Sequence, residues 1–195
     1  MNGKTKGEIT RARVLETARA LINAKGFNNT SINDIIEATG VKKGNLYFHF
    51  NGKEELGLAI LEEAKSDFFL FLSKSLKGQG PLERLFSFFD AVFAKHKEMN
   101  FVGGCLFGNT ALEMSDKNCR FSDCIHEVFS EWTAIIADLL MEAREAGELK
   151  LKMSPELLAK HIVATIEGGI MFSRVSKHED DLRDCLNSMR ILLEM

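Results

Sequence analysis

Residues 39–56 of the sequence read TGVKKGNLYFHFNGKEEL, and this stretch decides the fold of the N-terminal part of the chain. A short helix containing Ile32 and Ile35 precedes it and stops at Gly40, where a tight turn begins. A second short helix follows the turn. The pair predicts a helix-turn-helix, the motif whose second helix enters the major groove of DNA.

The second helix of this motif has an inner and an outer side. Val41, Leu46 and Phe50 are expected to pack inward, toward Ile32 and Ile35. Lysine donates to guanine O6 and N7, asparagine pairs with adenine, and polar aromatic tips suit phosphates. The predicted base contacts are Lys42, Lys43 and Asn45, and the predicted phosphate contacts are Tyr47, His49 and Lys53. Thr30 and Ser31, either of which caps the preceding helix, complete the predicted DNA-binding set.

Charge is distributed unevenly along the chain. The formal net charge is −3, yet residues 1–53 carry nine Lys or Arg and four acidic residues, a net charge of +5. A basic N-terminal segment followed by an acidic remainder favours an anionic partner for the N-terminal segment. A solvated basic helix is the alternative explanation of the same charges.

The remainder of the chain is patterned at helical period. Two prolines in 195 residues favour long helices over the many turns of a strand-rich fold. A long helix is expected to begin at Lys53. Further helices are predicted over residues 81–99, 104–115, 119–146, 155–177 and 179–194. The predicted fold class is therefore all-α, with an N-terminal three-helix domain and a larger helical domain.

Several functional classes are disfavoured. The chain has neither an apolar run of membrane-spanning length nor an apolar N-terminal leader, which predicts a cytoplasmic protein without a membrane partner. The four cysteines form no C-x-x-C pair and the five histidines show no ligand spacing. We therefore expect no metal, no cofactor and no enzymatic activity.

The stretch TSINDIIEATGVKKGNLYFHFNGKEEL resembles the N-terminal signature of the tetracycline-repressor (TetR/AcrR) family. That pattern runs roughly T-S-x-x-D-I-A-x-x-A-G-V-S-x-G-x-L-Y-x-x-F-x-x-K-E-x-L. The matching residues are Thr30, Ser31, Asp34, Ile35, Gly40, Val41, Gly44, Leu46, Tyr47, Phe50, Lys53, Glu54 and Leu56. Ile36 and Lys42 depart from the usual alanine and serine, which bears on operator sequence.

The resemblance implies a DNA-binding helix-turn-helix domain over residues 1–52 and a ligand-binding and dimerisation domain over residues 53–195. It implies a repressor that binds a palindromic double-stranded DNA operator as a homodimer and is released by a small-molecule effector. The C-terminal helices are apolar over a wide arc, as in helices buried on more than one side. The predicted dimer contacts are Ile162, Ile166, Ile170, Leu186 and Met189.

Aromatic residues are concentrated in the predicted ligand-binding and dimerisation domain. Eleven of the fifteen phenylalanines lie between residues 68 and 129, and the single tryptophan, Trp132, follows them. Such rings form either ordinary core or an apolar ligand pocket with a few polar groups. The predicted ligand-binding residues are Phe89, Phe93, Cys105, Phe107, Asn109, Trp132, Glu167 and Met171.

The segment GGCLFGNTALEMSD, residues 103–116, lacks the lysine of a phosphate-binding loop. It places Cys105 after two glycines at a predicted helix start, where the helix dipole stabilises a thiolate. Cys105 is thus a candidate sensor of electrophiles or oxidants, unless it is a small buried residue. A thiol-based sensor and a non-specific DNA-coating protein remain the alternatives to a regulator that binds its effector reversibly.

Overall fold

The structure is a computed structural model, and it describes residues 5–150 and 152–194. Over those residues every regular element is an α-helix, which confirms the all-α prediction. The helices of the described residues are α1 (Lys6–Lys25), α2 (Ile32–Thr39), α3 (Lys43–His49), α4 (Lys53–Ser75), α5 (Pro81–Glu98), α6 (Leu106–Met114), α7 (Cys119–Glu145), α8 (Pro155–Ser176) and α9 (Glu179–Glu194).

Local sequence signals set the helix ends. Ser31 and Asp34 form a capping box at the start of α2, and Gly40 ends α2 with a left-handed backbone, φ 64°. Pro81 and Pro155 occupy the first positions of α5 and α8, where the N–H that proline lacks has no helical partner. The helix bounds consequently lie within three residues of the predicted ones.

Contacts divide the chain into two compact units, and each unit combines two separate segments. The first contains the residues up to Ser66 together with Leu106–Ile125, and the second contains Asp67–Cys105 together with the residues from His126 onward. The sequence predicts a domain boundary after residue 52, because the helix-turn-helix ends there, and this boundary stays a prediction.

The first unit packs α6 and the start of α7 with the N-terminal helices. Glu113 of α6 accepts hydrogen bonds from the backbone N–H groups of Phe27, at 3.0 Å, and Asn28, at 2.8 Å. The rings of Phe27 and Phe121 meet edge-on, with centroids 5.0 Å apart. The loop that joins α1 to α2 is thus held by residues more than eighty positions away in sequence.

The second unit is built around buried aromatic and aliphatic residues of α5, α7, α8 and α9. Phe88 and Phe89 of α5 are completely covered. Helices α8 and α9 approach closely at Gly169, where a β-carbon would lie 2.9 Å from Cβ of Cys185. The close approach at Gly169 is thus made by α9 of the same chain.

Over the described residues, no helix combines the length and the apolar character needed to cross a membrane.

Candidate nucleic-acid interface and effector site

A small apolar core holds α2 and α3 together. Ile35 of α2 and Leu46 of α3 are completely buried, and Val41 in the turn between them is nearly so. The left-handed backbone at Gly40 is one that glycine adopts without steric cost. These residues fix the orientation of α3 and confirm the predicted inner side of the motif.

The outward side of α3 presents most of the predicted DNA-reading groups. Lys42, Lys43 and Asn45 are exposed, and Tyr47 keeps 43% of its surface exposed. Lys42 is the N-cap residue and Lys43 is the first residue of α3. The start of α3 therefore offers two ammonium groups and a carboxamide, which suit base edges and phosphates.

The two predicted contacts before α2 differ in accessibility. The exposed Ser31 hydroxyl donates to the Asp34 carboxylate at 2.6 Å, and this bond holds the pKa of Asp34 below its ordinary value. Thr30 is completely buried, and its hydroxyl donates to the carbonyl of Gly26 at 2.8 Å. Thr30 is therefore a core residue and not a DNA contact, since neither its surface nor its hydroxyl is available.

Lys53 is attached to the loop between α1 and α2. Its Nζ donates to the carbonyl of Asn28 at 3.3 Å and lies 4.5 Å from the ring centroid of Phe27. Burial lowers the pKa of Lys53, and the nearby carboxylates of Glu113 and Asp34 oppose that effect. A phosphate contact by Lys53 would thus add to a structural role that the sequence did not reveal.

Sequence reasoning assigned no role to Phe48, although the structure leaves this ring 82% exposed. The neighbouring Phe50 is buried, as predicted, and the Arg11 guanidinium lies 5.3 Å above its ring centroid. The sequence did indicate this exposure, because Phe48 is two residues from the buried Leu46 and so lies on the opposite side of a helix.

The predicted effector-binding residues include a partly buried acid in the second unit. Glu167 of α8 accepts a hydrogen bond from the side chain of Cys105. Burial raises the pKa of Glu167 to about 7, and the bond from Cys105 acts in the opposite direction. Oε1 of Glu167 is itself buried and has no hydrogen-bond partner among the described residues.

Trp132 is buried in the same unit among aromatic rings. Phe68 lies edge-on to its ring at 5.0 Å between centroids, and Phe129 stacks on it at 6.1 Å. Its Nε1 also has no hydrogen-bond partner in the part of the chain that the structure describes. Buried polar atoms nearly always have a partner, so Trp132 and Glu167 single out the interior of the second unit as a candidate effector site.

The other predicted effector-binding residues are dispersed. Phe89 and Phe93 belong to the second unit, whereas Phe107 and Asn109 belong to the first. Asn109 Nδ2 donates to Oδ1 of Asn23 at 3.3 Å. Met171 is 53% exposed on α8, and its assignment as a pocket-lining residue stays a prediction.

The five predicted dimer contacts are all buried within the chain itself. Helices α8 and α9 cover one another, and the predicted residues lie in the core of the second unit: Ile162, Ile166, Ile170, Leu186 and Met189. A second copy cannot reach side chains that the chain already covers. That prediction is therefore corrected, and any dimer must use other residues.

The segment before α6 agrees with its prediction in conformation. Gly103 and Gly104 have positive φ angles, 85° and 68°, and Cys105 immediately precedes the first residue of α6. None of the four cysteines forms a disulfide within the described chain. Over the same described residues, no group of three His, Cys, Asp or Glu side chains is placed to hold a metal ion.

A two-helix motif with a buried core and a basic, exposed second helix, in a chain with a larger helical unit, defines a helix-turn-helix DNA-binding regulator. Comparison with known families identifies the family to which this regulator belongs. Residues 14–60 match "Bacterial regulatory proteins, tetR family", and residues 81–189 match "Tetracyclin repressor-like, C-terminal domain". The chain belongs to the tetracycline-repressor family of transcriptional regulators.

Individual relatives agree with this assignment. The chain is 27% identical to the HTH-type transcriptional repressor DhaR of Mycobacterium sp. strain GP1, over 88% of this chain and 86% of DhaR. It is 30% identical to the HTH-type transcriptional regulator YxaF of Bacillus subtilis, over 89% of each chain. These relatives are transcriptional regulators, which confirms the prediction that the chain is a DNA-binding protein and not an enzyme.

Solved structures show the same architecture. A TetR transcriptional regulator from Chloroflexus aurantiacus is 32% identical and superposes with a TM-score of 0.87, over 94% of this chain and 93% of that one. The regulatory protein TetR from Rhodobacter sphaeroides is 26% identical, also with a TM-score of 0.87, over 93% and 97% of the two chains. Both likenesses extend over the DNA-binding and C-terminal parts of the chain.

Proposed function

We propose that this regulator is a repressor that binds a palindromic operator as a homodimer and leaves it when a small effector binds. The observation that carries the proposal is the presentation of Lys42, Lys43 and Asn45 on a buried frame at the start of α3. In a helix-turn-helix, this end of the second helix contacts base edges. Because its proposed partner is an operator, the proposed location of the protein is the cytoplasm.

The proposed dimer surface is an exposed apolar stripe on α8, together with two exposed apolar residues of α9. Its members on α8 recur at helical spacing, so they share one side of the helix. Large apolar side chains left in water at this density favour a protein partner over bare solvent. The stripe consists of Leu157, Met171, Phe172 and Val175 on α8, with Ile191 and Leu192 on α9.

The proposed effector is largely apolar and carries a hydrogen-bonding group. The buried rings around Trp132 suit an aromatic or aliphatic body, while Trp132 Nε1 and Glu167 Oε1 are available for a polar group. The effector releases DNA only if it binds the non-operator conformation more tightly than the operator-binding one. By linkage, operator must then weaken effector binding by the same factor.

The hydrogen bond between Cys105 and Glu167 supports a second candidate, a thiol-based sensor. In this mechanism the effector is an alkene conjugated to a carbonyl group. The Cys105 proton passes to the Glu167 carboxylate as sulfur forms a bond to the β-carbon of that alkene. The π electrons move to the carbonyl oxygen as an enolate, which then takes a proton at its α-carbon from the Glu167 carboxyl. The net reaction is addition of S–H across the double bond.

Selection of bound sequences from a random DNA pool tests the primary proposal. We expect a palindrome whose half-sites lie about one helical turn, ~34–36 Å, apart or a multiple of it. The selected site should bind at least ~10³-fold more tightly than unrelated DNA. Equal binding of random and selected DNA would instead identify a DNA-coating protein.

Cysteine labelling separates the two effector mechanisms. With one equivalent of N-ethylmaleimide, the sensor mechanism predicts that Cys105 is modified first and that DNA is released. Cys105→Ser should then bind operator and resist release. Cys185 is the control, because it is also partly buried and burial raises its pKa. If Cys105 reacts no faster than Cys185, the reversible effector is the remaining mechanism.

A further inference from the structure

The ring of Phe48 is the most exposed aromatic side chain of the helix-turn-helix. It is 82% exposed, although Phe50, two residues away, is buried in the same unit. The groups around it on the outer side of the motif are polar or basic, namely Lys43, Asn45 and Tyr47. A large ring in this position lies where α3 is proposed to meet DNA.

Helical geometry places Phe48 at the centre of the outward side of α3. At about 100° per residue, Phe48 lies about 200° around the helix axis from the buried Leu46. Gly44 lies about 160° from Leu46 in the same sense of rotation, so Gly44 and Phe48 both face away from Leu46. A β-carbon at Gly44 would meet nothing within 4 Å among the described residues. The outermost strip of α3 is thus bare backbone at Gly44 followed by an aromatic ring at Phe48.

The neighbouring histidine supports the ring. The His49 ring meets Phe48 edge-on, with centroids 5.2 Å apart and planes at 80°. His49 is in turn close to α1, since its Cε1 lies 3.7 Å from the position of a β-carbon on Gly7. The edge-on contact with His49 covers one side of the Phe48 ring before DNA is bound, which lowers the entropic cost of using the Phe48 ring in recognition.

We propose that Phe48 is a specificity-determining residue that contacts the C5-methyl group of a thymine in the major groove. Thymine alone among the four bases presents a methyl group there, and apolar side chains recognise it by contact. Gly44 assists by letting the helix backbone approach the base edges closely. The inference rests on the proposed DNA-reading function, and it adds a thymine at one defined position in each half-site.

The test removes the methyl group from the DNA and the ring from the protein. Deoxyuridine replaces thymine, one position at a time, in the site that the wild-type protein selects. For wild type, one position per half-site should lose affinity by about fourfold per methyl group, the factor expected for one buried methylene equivalent. Phe48→Ala should bind thymine and deoxyuridine at that position equally, and Phe48→Leu should retain part of the preference.

Leu112→Ala is the matched control, because Leu112 is also highly exposed in the first unit but lies on α6. It should keep the wild-type preference for thymine. Thermal unfolding of Phe48→Ala should match wild type, since the removed ring is outside the core. These controls separate loss of a DNA contact from loss of the fold.

Two results would overturn the inference while leaving the proposed function intact. One is a wild-type protein that selects a site but is indifferent to deoxyuridine at every position. The other is a Phe48→Ala variant that loses the same factor on thymine and deoxyuridine DNA, which would assign the ring to the sugar–phosphate backbone. Failure of wild type to select any sequence would instead reject the DNA-reading function itself.

Discussion

Gly57 lies in the second turn of α4, where a β-carbon would come within 2.5 Å of Cε2 of Phe27 and 2.8 Å of Cζ of Phe121. Alanine favours a helix interior over glycine by about 1 kcal/mol, but contacts this short require both rings to move. We expect Gly57→Ala to lower the free energy of unfolding by about 1–3 kcal/mol, the usual cost of overpacking a core. Urea denaturation measures this change.

Gly44→Ala is the control for that prediction. Gly44 is also helical, and a β-carbon there meets nothing within 4 Å in the described chain. Its substitution should leave stability unchanged or raise it by up to about 1 kcal/mol. If Gly57→Ala were equally well tolerated, the packing of Phe27 against Phe121 would not constrain the position of α4.

Glu167 should make stability depend on pH in a direction unusual for a carboxylic acid. Its pKa is raised to about 7 from an ordinary value of 4.5, so the folded chain keeps a proton that the unfolded chain releases between these values. Raising the pH through this window therefore lowers the free energy of unfolding, in total by roughly 3 kcal/mol at 1.36 kcal/mol per pKa unit. Below about pH 4.5 this cost disappears.

Glu167→Gln provides the comparison, because glutamine has a similar shape and stays neutral at both pH values. Chemical denaturation at pH 5 and pH 8 should show a steeper loss of stability for wild type than for the variant. If the free energies of unfolding of wild type and Glu167→Gln differ by the same amount at pH 5 and pH 8, Glu167 does not have a raised pKa.

Single residues also show the limits of sequence interpretation. The sequence identified Lys42, Lys43 and Asn45 because a helix that packs through Leu46 must expose them. Thr30 was misassigned because its hydroxyl bonds to Gly26, a local contact that the signature pattern does not reveal. The raised pKa of Glu167 was not predictable, since it depends on burial by segments distant in sequence.

At the scale of elements, α6 is tied to the loop between α1 and α2 by Glu113. Replacing Glu113 with alanine leaves the N–H groups of Phe27 and Asn28 without their carboxylate partner. We expect a loss of about 1–3 kcal/mol in the free energy of unfolding, because the part-buried N–H of Phe27 would be left unpaired, whereas the exposed N–H of Asn28 can bond to water. Hydrogen exchange should also become faster at these two amides, and operator affinity should fall because the loop leads into α2.

Asp116→Ala is the control for Glu113→Ala, because Asp116 is an exposed acid just beyond the end of α6. Its removal should change stability by no more than about 0.5 kcal/mol. Unchanged exchange at Phe27 and Asn28 in Glu113→Ala would mean that the carboxylate is not what orders the loop.

Element boundaries were predictable from sequence, whereas the burial of helix faces was not. Gly26, Gly40, Pro81 and Pro155 act on the backbone within one turn, so their effects can be read locally. Helix α8 carries apolar residues on more than one side, and periodicity alone cannot say which side meets its own chain. The structure assigns the side containing Ile166 to α9 and the core, and leaves the side containing Phe172 exposed.

At the scale of the whole molecule, the exposed apolar residues of α8 and α9 form the proposed dimer surface. Phe172 and Val175 are exposed over more than half of their surface, in a helix whose opposite side is already buried. Burial of such a stripe in a symmetric dimer would place the same surface patch of both copies against each other. A dimer would also fix the spacing of the two α3 helices, on which recognition of a palindrome depends.

This surface leads to a comparison between two charge substitutions on α8. Phe172→Glu adds a charge to an exposed residue, so the fold should persist while the dimer dissociates and operator affinity falls sharply. Ile166→Glu places an unpaired charge in the core of the second unit and should instead unfold the chain, since buried uncompensated charges are strongly destabilising. Sedimentation, circular dichroism and operator titration of both variants distinguish the two outcomes. A Phe172→Glu protein that remains dimeric would place the interface elsewhere. A folded monomer that still binds the full palindrome as tightly as wild type would show that the dimer is not what recognises the operator.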